Sequence, residues 1–182
     1  MEKIWKLLSK KEAFDSPHKR LENWTFEVEE GKEQTYTLQA WGGGVVVFAL
    51  TKDKKVLVLD QFFVSQQKKH ITLVAGMIDK DKTPEEIAVQ ELREEAGCVA
   101  GSLISLGKGV RSKWITGYLH FFLALDVEQH YEQALNLSED ISCRFVDIDT
   151  CKTYLRDGIL EGLFAELCAR RAFDYLEKEE II

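Results

Sequence analysis

One segment, residues 70–98, constrains the fold of this chain more than any other. It reads HITLVAGMIDKDKTPEEIAVQELREEAGC, and its apolar start predicts a strand that ends at Gly76. Thr83 is suited to cap a helix, a proline follows at the first helical position, and Glu86 completes a capping box with Thr83. Gly97 ends the helical run. The segment therefore predicts a strand, a glycine turn and a helix with defined ends.

Short apolar runs separated by polar turns surround this segment and predict the rest of the main domain. GGGVVVFAL and KVLVLDQFF flank the turn TKDKK, as expected for two adjacent strands buried on both faces. SLISLGKGV, YLHFFLALDV and SCRFVDID predict further strands, and ILEGLFAELCARRAFDYLEK has apolar residues at helical spacing. We predict an α/β fold over residues 45–182, in which a mixed sheet has helices on both faces as an α/β/α sandwich.

Residues 1–44 follow a different pattern, and we predict a small antiparallel β extension ahead of the main domain. Residues 1–22 are charged, with IWKLL as their only apolar group, and predict a short helix or an arm. Two alternating stretches, WTFEVEE and EQTYTLQAW, flank a glycine turn and predict a hairpin. A length of 182 residues suits one sizeable core, so residues 1–44 are interpreted as an appendage to it.

Charge and cysteine content exclude several classes of function. The net charge of -7 argues against a nucleic-acid-binding surface, because phosphate backbones are bound by clustered lysine and arginine. No apolar run approaches the roughly 20 residues that span a bilayer, so we expect no membrane contact. The four cysteines form no CxxC pair, and we expect them to be reduced core residues of a cytoplasmic, soluble protein.

Three glutamates of the predicted helix, Glu91, Glu94 and Glu95, fall within an arc of roughly 100°. They border the apolar stripe that contains Leu92, and their mutual repulsion destabilises the helix unless a cation offsets it. Oxygen-rich sites of this kind suit Mg²⁺ or Mn²⁺, which also bridge a protein to substrate phosphates. The alternative interpretation is an ordinary solvated helix face.

These residues resemble the Nudix box, which reads G-x5-E-x7-R-E-U-x-E-E-x-G-U, where U is apolar. Seven of its nine fixed positions agree, namely Gly76, Glu91, Leu92, Glu94, Glu95, Gly97 and Cys98. Two positions depart, because Lys82 stands where the family has glutamate and Gln90 where it has arginine. The resemblance implies the Nudix sandwich fold over residues 45–178. It also implies that two supporting residues have changed while the residues that hold the metal remain.

The resemblance to the Nudix family further implies an activity and a set of metal ligands. The main-chain carbonyl of Ala75 and the carboxylates of Glu91 and Glu95 are expected to hold Mg²⁺, with Mn²⁺ as the alternative ion. Glu94 is expected to bind a second ion or its water. The implied reaction is metal-dependent hydrolysis of the diphosphate of a nucleoside diphosphate derivative, to a nucleoside monophosphate and a sugar phosphate.

The acidic loop NLSED is the first candidate for the general base of this reaction. In the sugar-nucleotide branch of the family such a loop supplies the base, which implies that Glu139 or Asp140 accepts the proton from the attacking water. Glu94 is the competing candidate. Glu139 and Asp140 are otherwise ordinary loop acids.

Smaller features resemble one branch of the family. AGMID is similar to the AGKID-type turn of ADP-ribose and ADP-sugar pyrophosphatases, whose members are usually dimers, so we expect a homodimer that acts on a nucleotide sugar or ADP-ribose. Val74 replaces the proline common before AG, and Phe63 replaces an arginine of the branch. These departures leave the base and the sugar of the substrate open.

Aromatic and basic residues outside the box are candidates for substrate contact. Trp24, Trp41 and Trp114 each present an aromatic face suited to a nucleobase, and each is alternatively a core or interface residue. Arg111 and Lys113 are candidates for phosphate contact, with a solvated loop as the alternative.

Two further functions compete with the enzyme. The departures at Lys82 and Gln90 allow a Nudix scaffold that binds a nucleotide as a regulator without useful turnover. A structural interaction protein with a vestigial box is the other possibility. The three retained glutamates favour the enzyme, because a binding module has no chemical need for all of them.

Overall fold

The computed structural model describes residues 3–17, 19–79 and 81–182, which form twelve strands and three α-helices. The strands are β1 (Lys6–Ser16), β2 (Lys19–Glu29), β3 (Lys32–Ala40), β4 (Gly44–Leu50), β5 (Lys55–Phe63), β6 (Lys68–Thr72), β7 (Val74–Met77), β8 (Cys98–Val99), β9 (Ser102–Gly109), β10 (Leu119–Leu125), β11 (Glu128–Gln129) and β12 (Ile141–Asp147). The helices are α1 (Pro84–Ala96), α2 (Ile148–Arg156) and α3 (Leu163–Lys178). None of these helices is both long and apolar enough to cross a bilayer.

The chain divides into two compact units. The first unit contains the chain up to Gly43 together with Gly109–Tyr118. The second unit contains Gly44–Lys108 and Leu119–Ile182. The predicted metal ligands belong to the second unit, whereas the tryptophan and arginine candidates for substrate contact belong to the first.

A seven-stranded mixed sheet forms the centre of the second unit. Five of its strands lie in the order β12-β5-β4-β10-β9, while β6 pairs with β5 and β7 pairs with β4. β4 is parallel to β10 and antiparallel to β5 and β7. The mixed sheet predicted from the apolar runs is therefore confirmed.

Helices cover both faces of this sheet. Val47 of β4 belongs to the same core cluster as Ile87 and Leu92 of α1. The next residue, Phe48, packs against Phe173 of α3, with the two ring centroids 5.2 Å apart. Because successive residues of a strand point to opposite faces, α1 and α3 lie on opposite sides of the sheet. The predicted α/β/α sandwich is confirmed.

Local interactions set both ends of α1. The Thr83 side chain accepts a hydrogen bond from the Glu86 backbone N–H, and the Glu86 carboxylate accepts one from the Thr83 backbone N–H. This is the predicted capping box. At the other end Gly97 has a φ of 65°, and its N–H donates to the Arg93 carbonyl. A Cβ at Gly97 would lie 2.0 Å from the Tyr131 carbonyl oxygen, so both the conformation and the close contact require glycine.

Two elements of the second unit differ from the prediction. The single strand expected to end at Gly76 is two strands, because the chain crosses at Leu73 from β6, which pairs with β5, to β7, which pairs with β4. Helix α2 was not predicted. Its sequence is mostly polar and has no side-chain cap at its start, although Cys151 and Leu155 are buried.

The first unit is a three-stranded antiparallel sheet in the order β1-β2-β3. Gly31, with a φ of 69°, lies in the turn between β2 and β3, so the predicted β extension is confirmed. The segment Gly109–Tyr118 joins this unit, because the Gln39 N–H donates to the Trp114 carbonyl at 2.9 Å. The Thr116 hydroxyl also accepts a hydrogen bond from the Trp41 N–H, at 2.8 Å.

The helix or arm predicted for residues 1–22 is wrong for most of this segment, because β1 and the start of β2 are strands. β1 pairs with β2 along its length, and the Lys10 ammonium lies 3.7 Å from the centroid of the Trp24 ring. Register shifts between Leu7 and Ser9, and again between Glu12 and Phe14, interrupt the pairing. Such irregularities destroy the two-residue alternation by which a strand is recognised in a sequence.

Candidate functional site

Glu95 lies on the buried face of α1 and contacts β7. Its side chain is inside the second unit, with the residue only 4% exposed, and its Oε2 accepts a hydrogen bond from the Ala75 backbone N–H at 3.0 Å. Burial raises the pKa of Glu95 to about 8, against the opposite effect of the Ala75 hydrogen bond. The charges of Glu91 and Glu139 raise this pKa further. The position therefore favours an uncharged Glu95 unless a cation is nearby.

The same hydrogen bond indicates the direction of the Ala75 carbonyl. Ala75 faces Val46 in the antiparallel pair of β7 with β4. The Ala75 N–H donates to Glu95 and not to Val46. Ala75 and Val46 are therefore a non-hydrogen-bonded pair of the antiparallel ladder. In an extended strand the N–H and the carbonyl of one residue point to the same side. The carbonyl expected to be a metal ligand is therefore on the side of β7 that faces Glu95.

Gly76 provides the space that Glu91 occupies. A Cβ at Gly76 would lie 2.1 Å from Glu91 Oε1, so the carboxylate lies directly against the backbone of β7. Burial raises the pKa of Glu91 to about 7, and the charges of Glu94, Glu139 and Asp79 contribute to the rise. The Lys82 ammonium acts in the opposite direction. A solvated helix face does not describe this arrangement, because two of the three glutamates are held against β7.

The donor set fits a hard divalent cation. Carboxylate and main-chain carbonyl oxygens are the ligands that Mg²⁺ and Mn²⁺ prefer. Burial is the main cause of the raised pKa values of Glu91 and Glu95, and neighbouring carboxylates add to it, so a cation between these side chains would stabilise their ionised forms. Across residues 3–17, 19–79 and 81–182, no three acidic, histidine or cysteine side chains are grouped as closely as in a formed metal centre.

Glu94 is held by the two residues that depart from the Nudix box. Gln90 Nε2 donates to Glu94 Oε1 at 3.0 Å, and Lys82 Nζ donates to Gln90 Oε1 at 2.6 Å. We call this arrangement the Lys82–Gln90–Glu94 chain. Glu94 also lines a surface cavity of about 650 Å³. The other residues around the cavity are Glu86, Val89, Gln90, Arg93, Tyr131, Glu132 and Ala134.

The two candidate bases in the acidic loop have different surroundings. Glu139 is half-buried and accepts hydrogen bonds from the backbone and side-chain nitrogens of Asn136. It lies close enough to Glu91 and Glu95 for its charge to raise the pKa of both. Asp140 is exposed and pairs with Lys69 at 2.7 Å. Of the two, Glu139 is the one that neighbours the acidic cluster of α1, which consists of Glu91, Glu94 and Glu95.

The residues suggested for substrate contact pair among themselves in the first unit. The Arg111 guanidinium lies 4.8 Å from the centroid of the Trp41 ring. Trp114 is 45% exposed and packs against Tyr36, with ring centroids 5.9 Å apart, while the Lys113 ammonium lies 4.8 Å from the Trp114 centroid. The structure thus brings Arg111 together with Trp41, and Lys113 together with Trp114.

Trp24 has a different environment from the other two tryptophans. Its indole N–H donates to Glu22 Oε2 at 2.8 Å, and the Lys10 ammonium covers its ring. The ring face and the polar edge are therefore both used within the three-stranded sheet.

The loop after β11 holds the end of α1, a role that its sequence does not indicate. The Gln133 side-chain amide donates to the Glu95 carbonyl, and the Ala134 N–H donates to the Glu94 carbonyl at 2.8 Å. The His130 and Tyr131 N–H groups both donate to the Gly97 carbonyl, each at 3.0 Å. These bonds satisfy helix-end carbonyls that α1 cannot satisfy itself. The polar sequence EQHYEQALNLSED carries no local signal of this role.

Two curated proteins are similar to this chain in sequence. An ADP-ribose pyrophosphatase from Bacillus subtilis (strain 168) is 28% identical over 123 residues, which cover 67% of this chain and 64% of that protein. A methanol dehydrogenase activator from Bacillus methanolicus is 28% identical over 107 residues, covering 58% of this chain and 56% of that protein. The chain thus spans less than two thirds of the length of either curated relative.

Fold and family comparisons agree with the resemblance found in the sequence. The crystal structure of an ADP compounds hydrolase superposes with a TM-score of 0.82 at 16% identity, covering 98% of this chain and 97% of that one. At this identity the likeness shows the fold. The NUDIX domain family matches residues 41–161, which include every residue of the acidic cluster on α1. The chain belongs to the NUDIX domain family.

Proposed function

We propose that this protein hydrolyses the diphosphate linkage of a nucleoside diphosphate derivative, either a nucleotide sugar or ADP-ribose. The products are a nucleoside monophosphate and a sugar phosphate. The observation that carries the proposal is the burial of Glu91 and Glu95 against Gly76 and Ala75 of β7. Family membership and the names of two similar proteins, an ADP-ribose pyrophosphatase and an ADP compounds hydrolase, support the substrate class.

Mg²⁺ is the proposed cofactor, with Mn²⁺ as an alternative. The Ala75 carbonyl, Glu91 and Glu95 would hold the ion, and Glu94 would bind a second ion or its water. A divalent ion at this position neutralises the diphosphate and makes a nearby water more acidic. It also allows a chain with a net charge of -7 to bind an anion.

Glu139 is the proposed general base. Its charge raises the pKa of both Glu91 and Glu95, which supports a role near the proposed metal site, and its bonds to Asn136 hold the loop. Glu94 is the second candidate, because it belongs to the same cluster. Asp140 is less suitable, because its carboxylate is already paired with Lys69.

Trp41, Arg111 and Trp114 remain our candidates for substrate contact. The ring of Trp41 and the half-exposed ring of Trp114 suit stacking on a nucleobase, and the Arg111 guanidinium suits a phosphate.

A homodimer is the proposed assembly. The first unit exposes large apolar side chains on and before its edge strand β1, namely Ile4, Trp5, Leu7, Leu8 and Phe14. Exposed apolar groups clustered at a strand edge are a surface for another chain. A cytoplasmic location is proposed as well, because all four cysteines are free and disulfides persist in oxidising compartments.

A regulator that binds a nucleotide without turnover is the second candidate. The observation that favours it is the pair of departures from the Nudix box at Lys82 and Gln90. It predicts nucleotide binding by a protein whose Glu95→Gln variant behaves like the wild type in every assay of turnover.

One assay separates the two candidates. The purified protein is incubated with Mg²⁺ or Mn²⁺ and a panel of nucleotide sugars, ADP-ribose and dinucleotides, and nucleoside monophosphate is measured. The enzyme predicts release that is lost in Glu95→Gln and kept in Glu85→Gln, a matched change at an exposed residue in the first turn of α1. Absence of release from every substrate, or equal release by Glu95→Gln, would rule out the hydrolase.

A further inference from the structure

The two positions at which this chain departs from the Nudix box contact each other. Lys82 precedes the N-cap of α1, and Gln90 lies one helical turn before Glu94. Lys82 Nζ lies 2.6 Å from Gln90 Oε1, and Gln90 Nε2 lies 3.0 Å from Glu94 Oε1. The two changes therefore belong to one hydrogen-bonded chain that ends on a carboxylate of the acidic cluster.

Both neighbours of Gln90 require the same orientation of its amide. The Lys82 ammonium carries only donors, so the amide oxygen must face it. The Glu94 carboxylate carries only acceptors when it is ionised, so the amide nitrogen must face Glu94. In the Lys82–Gln90–Glu94 chain, each donor therefore faces an acceptor: Lys82 Nζ faces Gln90 Oε1, and Gln90 Nε2 faces Glu94 Oε1. The hydrogen bond from Lys82 therefore fixes the orientation of the Gln90 amide, so that the amide N–H points at Glu94.

We propose that Lys82 is a positioning residue that orients Glu94 through the Gln90 amide, and that residues 82 and 90 form a matched pair. Lys82 acts without contacting the ion or the substrate. The inference rests on the proposed function only in assigning Glu94 to the metal site. The effect of Lys82 on Glu94 can be measured as a change in metal affinity, which does not require hydrolysis of a substrate.

If residues 82 and 90 are a matched pair, Lys82→Glu should be harmful even though it introduces the residue of the Nudix box. A carboxylate at position 82 would attract the nitrogen of the Gln90 amide. The amide would then flip and turn its oxygen towards the Glu94 carboxylate, where two acceptors repel each other. Lys82→Glu should therefore be more harmful than Lys82→Ala, which only releases the amide.

Gln90→Arg should correct the damage done by Lys82→Glu. A guanidinium carries five N–H donors and no acceptor, so an arginine at position 90 can donate to carboxylates at positions 82 and 94 together. In the presence of Lys82, the same arginine instead meets a like charge. Each single variant is expected to be defective, and the double variant is expected to recover.

The test is the Mn²⁺ dissociation constant of the full-length protein. It is obtained by measuring the concentration of free Mn²⁺ from its electron paramagnetic resonance signal. Loss of a group that orients a metal ligand costs about 10–100-fold in affinity, so Lys82→Glu should weaken binding by about 10-fold or more. Lys82→Ala should weaken it less, and Lys82→Arg should be close to the wild type. The double variant Lys82→Glu/Gln90→Arg should return to within about threefold of the wild type, a large departure from additivity.

A control distinguishes this from a general effect of charge. Lys54→Glu makes the same change in the turn between β4 and β5, at the opposite end of β4 from the residues that pair with β7. It should leave Mn²⁺ affinity unchanged. Thermal unfolding of the metal-free variants should show similar midpoints, because a contact at the surface contributes only about 0–1 kcal/mol to stability.

Several results would overturn the inference. They are wild-type affinity in Lys82→Glu, equal loss in Lys54→Glu, strictly additive losses in the double variant, or no binding of Mn²⁺ by the wild type. Coupling between residues 82 and 90 without hydrolysis of any substrate supports the inference and refutes the proposed function. Hydrolysis without coupling supports the proposed function and refutes the inference.

Discussion

The carboxylate of Glu95 and the backbone N–H of Ala75 are joined by a hydrogen bond of 3.0 Å, which ties the last turn of α1 to β7. Glu95 is 4% exposed, so this bond is made inside the second unit. A glutamate at such a depth is stable when it is protonated or when a cation neutralises it. Burial favours the protonated form of Glu95, whereas metal binding requires the ionised form.

Glu95→Gln should separate stability from metal binding. A glutamine keeps the size of the side chain and an oxygen that can accept the Ala75 N–H, without the charge that burial disfavours. We expect the metal-free variant to unfold at the same or a higher temperature at pH 8, while Mg²⁺ or Mn²⁺ no longer raises its midpoint. Thermal unfolding with and without the ion measures both effects. A variant that Mn²⁺ stabilises as well as the wild type would show that Glu95 is not a ligand.

Stability of the metal-free protein should fall as pH rises from about 5 to about 9. The pKa values of Glu91 and Glu95 are raised from 4.5 to about 7 and about 8, so the folded state binds more protons than the unfolded state in this range. Their stabilising contribution is complete below about pH 4.5 and is lost as pH passes the folded-state values. Chemical denaturation at several pH values measures the slope.

The same protons compete with the metal ion. We therefore expect Mn²⁺ to bind more tightly at pH 8 than at pH 6, and to reduce the loss of stability at high pH. Glu95→Gln should show a smaller slope of stability against pH when no metal is present. Identical slopes in the variant and the wild type would contradict the assignment of this titration to Glu95.

Gly76→Ala should displace Glu91 with little effect on folding. The added Cβ would lie 2.1 Å from Glu91 Oε1 and 2.3 Å from Glu91 Cγ, so the whole Glu91 side chain must rotate away from β7. We expect a loss of Mn²⁺ affinity of about 10-fold or more, in the range typical of misplaced metal ligands. Titration of the variant with Mn²⁺ tests this. Unchanged affinity would mean that Glu91 does not bind the ion from its position beside β7.

Glu139→Gln should lower kcat more than it changes KM. A general base contributes about 10²–10⁴-fold to the rate, so a loss of about 100-fold or more is expected. Asp140→Asn is the matched control, because it removes an exposed ion pair with Lys69 instead. Equal losses in both variants would show that the loop acts as a whole, and a larger loss in Glu94→Gln would identify Glu94 as the base.

The signals that predicted α1 correctly are all local. Thr83, Glu86 and Gly97 act on groups within a few residues of themselves, so the capping box and the left-handed end could be predicted from spacing alone. The buried strands β4 and β5 are similarly visible as apolar runs. The helical period predicts that the three glutamates share one face of α1. Their burial depends on β7 and could not be predicted from the period.

The features that could not be predicted depend on contacts between distant residues. β1 is a strand because of its pairing with β2, and its register shifts hide the alternation. Gln133 holds the carbonyl of Glu95 across 38 residues of sequence, from a loop with no helical or strand pattern. Lys82 and Gln90 are visible in the sequence as departures from the Nudix box, but their hydrogen bond depends on how the loop before α1 approaches the helix.

Diffraction from crystals soaked in Mn²⁺, measured for its anomalous signal, tests the central claim most directly. We predict one strong anomalous peak within bonding distance of the Ala75 carbonyl oxygen and the carboxylates of Glu91 and Glu95, and no peak at this position in Glu95→Gln. A map without a peak between α1 and β7, or with Mn²⁺ bound only elsewhere on the molecule, would contradict it.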